Sequence, residues 1–243
     1  MNIMFYLIGT GIAFDITLSA FEALKKCNEI YVEMYTNPIE QAQLEALEKL
    51  IGKHINVLKR EQVESNFLIE RSAKPNSNIA LLASGDPLTA TTHITLVMDA
   101  RKRGIDVRVI HNSSIYTAAP GKAGLQIYRF GKTATLVNPR PNYKPTSSLD
   151  VIRNNQKNNM HTLVLLDTEP KPMEAKTALE ILSEFEMAVV LSRLGENDER
   201  VTYGKIEELK KRDDLGKPPF AIIIPAKLHV VEEEYLSCLG STH

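Results

Sequence analysis

The segment with the most chemically useful side chains is 84–93, which directly follows the apolar run 79–83. An apolar run of that length is typical of a buried strand. A Gly-Asp-Pro turn comes next, because glycine permits positive φ and proline fixes φ. A helix can then begin at Thr91 and Thr92. The pattern predicts one unpaired carboxylate, Asp86, at the carboxyl end of a strand, where open α/β sheets bind ligands.

A second loop of this kind is Gly9-Thr10-Gly11, which follows the apolar run 3–8. It begins like a dinucleotide-binding fingerprint, but Phe14 stands where the third glycine is required. Its two glycines can still let backbone N–H groups face a ligand. Glu33, at the end of the next strand, either holds ribose hydroxyls or is simply exposed to solvent, and we favour the exposed interpretation.

Two polar segments near the middle of the chain are also candidates. In the segment 111–118, Ser113 or Ser114 either caps the next helix or belongs to a loop of hydroxyls that holds a small polar ligand. Arg129 and Lys132 place two cations in one turn, where they are either solvated or bind a carboxylate.

Several other kinds of site are excluded by the residue patterns. There is no GxSxG elbow for a catalytic serine, and the histidines lack the spacing of metal ligands, so we expect no metal. Cys27 and Cys238 lie far apart without a CxxC pattern, which argues against a disulfide framework or a zinc site. A net charge of −1 argues against a nucleic-acid-binding protein.

Length and composition indicate a globular protein with two domains. The chain has 243 residues, 43% of them hydrophobic and 24% charged, which suits two domains of roughly 100–130 residues. A fifth strand ends near 111–114, so we place the domains at 1–112 and 113–243. The first residues include no basic leader and too few apolar positions for a signal peptide or membrane span. We therefore expect a soluble, cytoplasmic protein.

Short strands alternate with helices along the whole chain, which favours an α/β fold of largely parallel strands covered by helices. The predicted strands are 3–8, 29–34, 54–58, 78–83, 106–110, 133–138, 162–166, 188–192 and 220–224. The predicted helices are 15–27, 40–51, 92–103, 172–185 and 205–211. Asp15 is the expected N-cap of the first helix.

Several segments together resemble the diphthine synthase family, a branch of the tetrapyrrole-methylase-like methyltransferases. They are LIGTG at 7–11, GDPL at 85–88, ATTH at 90–93, SIY at 114–116, GLQIYRFGK at 124–132, LLD at 165–167 and PAKLH at 225–229. The Gly-Asp-Pro turn marks the wider superfamily. ATTH, GLQIYRFGK and the tail KLHVVEEEYL at 227–236 are narrower and indicate this one family.

The resemblance implies a fold and an activity. The implied fold is two α/β domains of the tetrapyrrole-methylase-like type with the cofactor in the inter-domain cleft, in a homodimer. The implied enzyme transfers methyl groups from S-adenosyl-L-methionine (SAM), leaving S-adenosyl-L-homocysteine (SAH). The acceptor is the amino group of the 3-amino-3-carboxypropyl-histidine of translation elongation factor 2, and the product is diphthine, in diphthamide biosynthesis.

The resemblance also implies site residues. The implied cofactor contacts are Ile12, Asp86, Thr89, Ser114, Ile115, Leu166, Tyr203, Gly204 and His229. Asp86 is a candidate partner for the positive charge of the methyl donor, and Arg129 or Lys132 for the carboxylate of the substrate. We assign no catalytic base, because an activated methyl donor mainly requires alignment and desolvation.

Two alternatives remain at this point. One is a methyltransferase of the same fold that acts on a tetrapyrrole or another small molecule. The other is a non-catalytic protein that binds SAM or the elongation factor without turnover.

Overall fold

The structure is a computed structural model that describes residues 4–35, 39–139 and 146–240. Ile3, the first residue of the first predicted strand, lies outside these ranges. The chain forms two compact units, Met1–Ile115 and Tyr116–His243.

The first unit is built on a five-stranded parallel sheet. Its strands are β1 (Met4–Gly9), β2 (Glu29–Glu33), β3 (Ile55–Leu58), β4 (Asn78–Ala83) and β5 (Asp106–Ile110). Their order in the sheet is β3-β2-β4-β1-β5, and all neighbours are parallel. The predicted α/β class with parallel strands is confirmed for this unit.

Helices cover both faces of the first sheet. They are α1 (Leu18–Lys26), α2 (Gln41–Ile51), α3 (Arg60–Val63), α4 (Phe67–Ser72) and α5 (Ile94–Lys102). Successive strand residues point to opposite faces. Ile8 and Leu82 therefore pack with α1 and α2, whereas Leu7 and Leu81 pack with α3, α4 and α5.

This arrangement creates a switch point between β1 and β4, which are neighbours in the sheet. The chain leaves β1 toward α1 on one face and leaves β4 toward α5 on the other. In open α/β sheets, the crevice outside the carboxyl ends of such strands is the usual ligand site.

The N-cap of α1 is Thr17, whose hydroxyl accepts a hydrogen bond from the Ala20 N–H at 3.1 Å. The expectation that Asp15 caps this helix is wrong, because the helix starts three residues later, at Leu18. Thr17 has the extended backbone of an N-cap and the short oxygen-bearing side chain that this position favours.

The second unit contains a mixed sheet. Its strands are β6 (Ala134–Leu136), β7 (Thr162–Leu166), β8 (Met187–Ser192), β9 (Arg200–Lys205) and β10 (Phe220–Ile224). Their order is β6-β7-β10-β8-β9. Only β6 and β7 are parallel; the other neighbours are antiparallel. The expectation of largely parallel strands is therefore wrong for this unit, since β8 and β9 are joined by a short loop and short loops connect antiparallel strands.

The helices of the second unit are α6 (Ile115–Lys122), which starts at the junction, α7 (Ser147–Lys157), α8 (Ala175–Ile181), α9 (Ile206–Leu209) and α10 (Val230–Gly240). A short 3-10 helix covers Ile127–Arg129. Ile152 of α7, Leu179 of α8 and Ile206 of α9 pack on one face of the sheet, while α10 packs against β9. Among the described residues, every helix falls short of the length and apolarity required to cross a membrane.

Candidate functional site

Three loops lie side by side at the carboxyl edge of the first sheet. They follow β4, β1 and β5, which are adjacent and parallel. Because parallel strands end at the same edge, residues 84–93, 9–17 and 111–114 come together there. We call them the three-loop edge.

Two glycines connect the loops after β1 and β4. The N–H of Gly11 donates to the carbonyl of Gly85 at 3.0 Å, and the N–H of Gly85 donates to the carbonyl of Gly11 at 2.9 Å. Their φ angles are 72° and 69°, in the left-handed region that glycine enters without strain. The Gly11 N–H is therefore one backbone donor of this loop that the protein itself uses.

Gly9 allows these loops to approach one another. A Cβ at this position would lie 2.5 Å from the carbonyl oxygen of Gly85 and 2.8 Å from Cδ of Pro87. Both distances are far shorter than van der Waals contact, and one of the two atoms belongs to the backbone. The first loop therefore needs glycine at position 9 for steric reasons.

Asp86 is not the unpaired carboxylate that the sequence predicts. Its Oδ1 accepts hydrogen bonds from the Leu88 N–H at 3.0 Å and the Thr89 hydroxyl at 3.1 Å. Its Oδ2 accepts from the Asn112 N–H at 3.3 Å and lies 2.7 Å from Nδ1 of His111. The carboxylate therefore orders its own turn and ties it to the loop after β5.

The same contacts determine the ionisation of Asp86. Burial acts to raise the pKa of the carboxyl, but the hydrogen bonds from Leu88, His111, Asn112 and Thr89 outweigh it, so the pKa is lowered. Asp86 thus carries a fixed negative charge at neutral pH. This charge is the main electrostatic feature of the turn.

The loop after β5 also binds the loop after β1. Nδ2 of Asn112 donates to the carbonyls of Gly9 at 3.1 Å and Asp15 at 2.6 Å. The Ser113 hydroxyl accepts from the Ile12 N–H at 3.3 Å. Three of the predicted contacts, Ile12, Asp86 and Thr89, are therefore assembled in one hydrogen-bonded edge.

Ser114 and Ile115 complete the predicted residues of this unit. Ser114 is buried, whereas Ile115, the first residue of α6, is half-buried. Ser114 is the last residue of the three-loop edge, and Ile115 is the next residue of the chain.

Two buried polar residues, Glu33 of β2 and His93 of the loop after β4, interact electrostatically. Glu33 is fully buried, so the exposed interpretation favoured from the sequence is wrong. Nδ1 of His93 lies 3.2 Å from the carbonyl of Pro87, and its Nε2 lies 3.5 Å from the Tyr35 hydroxyl. Burial lowers the pKa of His93, although Glu33 and the Pro87 carbonyl act in the opposite direction.

The predicted residues of the second unit fall into two places. β10 is antiparallel to β7, with Ile224 opposite Thr162 and Ala221 opposite Leu165. Leu166 therefore lies near the start of β10, whereas His229 follows its end. Tyr203 and Gly204 pair with β8 residues 189 and 188, which places them at the same end of the sheet as the exit of β10.

Tyr203 is half-buried in β9. Burial raises the pKa of its phenol, and the carboxylates Glu233 and Glu186 raise it further. The hydroxyl therefore stays protonated and able to donate a hydrogen bond. At its neighbour Gly204, a Cβ would lie 3.4 Å from Cδ2 of Leu209.

His229 stands at the N-terminus of α10 and is exposed. Its N–H donates to Oε2 of Glu232 at 2.8 Å, and its Nδ1 accepts from the Val231 N–H at 3.4 Å. These are the reciprocal contacts of a helix-capping arrangement. The backbone of His229 is therefore fixed.

Arg129 has a partner within the protein. Its Nη1 donates to the buried carboxylate of Glu232, and its Nη2 donates to the carbonyl of Lys227 at 2.6 Å. Its side chain is only 17% exposed. The carboxylate that Arg129 binds in this structure is thus Glu232.

Lys132 is exposed. Its backbone is bonded to Asn155, which accepts from the Lys132 N–H at 3.2 Å and donates to its carbonyl at 2.7 Å. It lines an open pocket of about 330 Å³ together with residues of α7, among them Ser147 and Asp150. Arg129 and Lys132 therefore share a turn but differ in surroundings.

Sequence reasoning missed His161 and Glu232, which are both fully buried. Glu232 follows His229 by three residues, the spacing of a capping glutamate at a helix start, so this signal was available. His161 has no comparable local signal. Within the described residues, no group of three or more His, Cys, Asp or Glu side chains is arranged to hold a metal ion.

The chain is similar to known proteins along nearly its whole length. The family described as Tetrapyrrole (Corrin/Porphyrin) Methylases matches residues 4–210. A protein of Methanothermobacter thermautotrophicus named diphthine synthase is 40% identical over 251 aligned positions, covering 96% of this chain and 94% of the relative. The diphthine synthase of Methanocaldococcus jannaschii is 40% identical and covers 93% of each chain.

A solved structure is also similar to this chain, in both fold and sequence. A crystal structure titled diphthine synthase matches with a TM-score of 0.89 and 36% identity, covering 98% of this chain and 96% of that one. The similarity therefore extends to both units.

Proposed function

Because the chain belongs to the tetrapyrrole methylase family and to its diphthine synthase branch, we propose that it methylates the modified histidine of translation elongation factor 2. The family predicted from the sequence motifs is confirmed, and the chain is a methyltransferase. The methyl donor is SAM. The acceptor is the amino group of the 3-amino-3-carboxypropyl side chain, and the product is diphthine. The observation that carries this proposal is the near full-length similarity to diphthine synthases.

The residues of the three-loop edge suit a ligand such as SAM, which combines a sulfonium cation, ribose hydroxyls and an amino-acid end. Asp86 supplies an ionised carboxylate, Thr89 and Ser113 supply hydroxyls, and Ile12 supplies an apolar side chain. The edge lies at the switch point of the sheet, the usual place for a nucleotide-like ligand.

The proposed cofactor contacts are Ile12, Asp86, Thr89, Ser114 and Ile115 in the first unit, with Leu166, Tyr203, Gly204 and His229 in the second. That both units contribute remains a prediction.

The bound cofactor supplies an already activated methyl group, so the protein mainly has to align the reactants and exclude water. Asp86 keeps its negative charge and holds the turn in one conformation. Tyr203, kept protonated by its surroundings, can donate a hydrogen bond. The acceptor amine must be neutral to react, and its proton can pass to solvent, so we assign no catalytic base.

We also propose a cytoplasmic homodimer. A closed two-fold pair is the commonest soluble oligomer. Light scattering at micromolar concentrations should give twice the chain mass of 27.2 kDa, and a monomer mass at every concentration would contradict this part of the proposal.

The activity is tested with elongation factor 2 that carries the 3-amino-3-carboxypropyl group. Incubation with SAM should add methyl groups to that histidine, detected by mass spectrometry of the peptide. Unmodified elongation factor is the matched control and should gain none. SAM binding without methylation would favour a non-catalytic binding protein, and methylation of a tetrapyrrole instead would favour the other substrate class.

Cofactor binding is tested separately by unfolding. A ligand that binds only the folded state stabilises it by about 2.7 kcal/mol at a hundredfold excess over the dissociation constant. SAH should produce this shift. No shift with either SAM or SAH would contradict the cofactor assignment.

A further inference from the structure

A fully buried carboxylate in the second unit, Glu232, accepts four hydrogen bonds. Oε1 accepts from the Gln126 N–H at 3.0 Å and lies 3.3 Å from Nε2 of His161. Oε2 accepts from the His229 N–H at 2.8 Å and from Nη1 of Arg129. All the acceptor positions of the carboxylate are thus used within the protein.

His161 takes part as a neutral ring. Its Nδ1 accepts a hydrogen bond from the Ala226 N–H at 3.0 Å. The ring proton is therefore on Nε2, which donates to Glu232. Burial lowers the pKa of His161, Glu232 opposes this shift and Arg129 adds to it, so the neutral form is maintained at neutral pH.

Together these side chains fix one segment of backbone, residues 226–229, between β10 and α10. His161 binds the Ala226 N–H, Arg129 donates to the Lys227 carbonyl at 2.6 Å, and Glu232 accepts from the His229 N–H. Three backbone polar groups of the segment are therefore hydrogen-bonded to this network of side chains. The side chains of Lys227 and His229 remain exposed.

A role in stability alone does not account for this arrangement. A buried ion pair is often no more stabilising than apolar residues of similar volume. A fully satisfied polar network instead specifies a single conformation. A rigid backbone that presents exposed polar side chains is what a binding segment requires.

We propose that Glu232, acting with Arg129 and His161, is a positioning residue that presets the 226–229 segment for cofactor binding. This inference rests on the proposed function, because it takes His229 to contact the cofactor. Glu232 itself is buried behind the segment and does not contact the ligand.

The test compares Glu232→Gln with Glu234→Gln, an exposed glutamate on the same helix. SAH binding is measured by calorimetry, and folding by circular dichroism. Glu232→Gln cannot accept from all four donors, so we expect its dissociation constant to rise about tenfold or more, with the stoichiometry unchanged. Glu234→Gln should stay within about twofold of the wild type.

Stoichiometry separates positioning from simple loss of fold. A purely structural role would lower the fraction of protein that binds while leaving the dissociation constant of the remainder unchanged, and that result would overturn the proposal. So would a folded Glu232→Gln that binds like the wild type. If the wild type bound neither SAM nor SAH, the proposed function itself would fail instead.

A second measurement does not depend on the variant folding. In the wild-type protein without cofactor, the amide hydrogens of Ala226 and His229 should exchange slowly, since both donate to buried acceptors. Fast exchange that becomes slow only after SAH is added would show that the ligand orders the segment, and would contradict the proposal.

Discussion

His111 and Asp86 are joined by a 2.7 Å contact between Nδ1 and Oδ2, which links the loop after β5 to the turn after β4. The Asp86 side chain is 11% exposed and that of His111 is 67% exposed. The imidazole is therefore the outer partner and the carboxylate the inner one. A ligand at the three-loop edge meets a carboxylate whose position is already fixed by the protein.

Replacing this carboxylate tests its role. Asp86→Asn removes the charge. The asparagine side chain has only one acceptor oxygen, whereas the hydrogen-bond donors around Asp86 bind two. We expect the free energy of unfolding to fall by roughly 1–3 kcal/mol, and the affinities for SAM and SAH to fall by a similar amount. Disturbance of the turn should weaken both ligands, and any additional loss for SAM measures the direct action of the charge on the sulfonium.

Calorimetry with both ligands and urea unfolding measure these effects. Asp99→Asn, which changes an exposed carboxylate of α5, is the control and should bind both ligands normally. A clearly larger loss for SAM than for SAH would mean that the charge acts directly on the sulfonium. Unchanged binding in a folded variant would remove Asp86 from the site.

Gly9→Ala tests the close approach of the loops. The added methyl group would lie 2.5 Å from the Gly85 carbonyl oxygen, and overpacking of this kind costs about 1–3 kcal/mol. SAH binding should weaken as well, because the loops must move apart. Urea unfolding and calorimetry check both effects.

The matched control is Gly121→Ala in α6, where a Cβ would meet no atom within 4 Å. Alanine is a better helix former than glycine, so this variant should be as stable as the wild type or up to about 1 kcal/mol more stable. Equal behaviour of the two variants would contradict the steric argument.

Two histidines that are buried in the described part of the chain, His93 and His161, predict a dependence of stability on pH. Burial lowers the pKa of both His93 and His161 from the ordinary value of 6.5. On acidification the unfolded chain therefore binds protons before the folded protein does, which favours unfolding. Their contribution to stability should be present above about pH 6.5 and lost as the pH falls below it.

Urea unfolding at pH 7.5, 6.5 and 5.5 measures this loss of stability. These pH values lie above the range in which ordinary carboxylates titrate. His93→Gln should show a shallower decline than the wild type. If the free energy of unfolding fell with pH as steeply in His93→Gln as in the wild type, His93 would not be responsible for the pH dependence.

Lys53 predicts a stability effect far from the candidate site. Its Nζ donates to the carbonyls of Leu24 at 3.3 Å, Lys25 at 2.6 Å and Cys27 at 2.6 Å, so it satisfies the C-terminal carbonyls of α1. Lys53→Met should lower the free energy of unfolding by roughly 1–3 kcal/mol without changing SAH affinity.

Lys49→Met, which changes an exposed lysine of α2, is the control and should stay within about 0.5 kcal/mol of the wild type. Equal losses in both variants would indicate a general effect of removing surface charge rather than loss of these hydrogen bonds.

The local sequence was sufficient for the elements with strong periodic patterns. The predicted strand 78–83 is β4 and the predicted strand 162–166 is β7, because short apolar runs indicate buried strands. By contrast, α7 was not predicted, since polar residues dominate its sequence, and β9 was not predicted, since it contains no apolar run. The family motifs identified the fold and the class of enzyme.

Only the tertiary structure decided which groups meet. Arg129 and Glu232 are 103 residues apart, and Ile12 and Ser113 are 101 residues apart, so no local pattern pairs them. The burial of Glu33 and the antiparallel order of the second sheet also follow from contacts between distant segments. Periodicity records which side of an element is buried, whereas the partner of a charged side chain is determined by the packing of the whole unit.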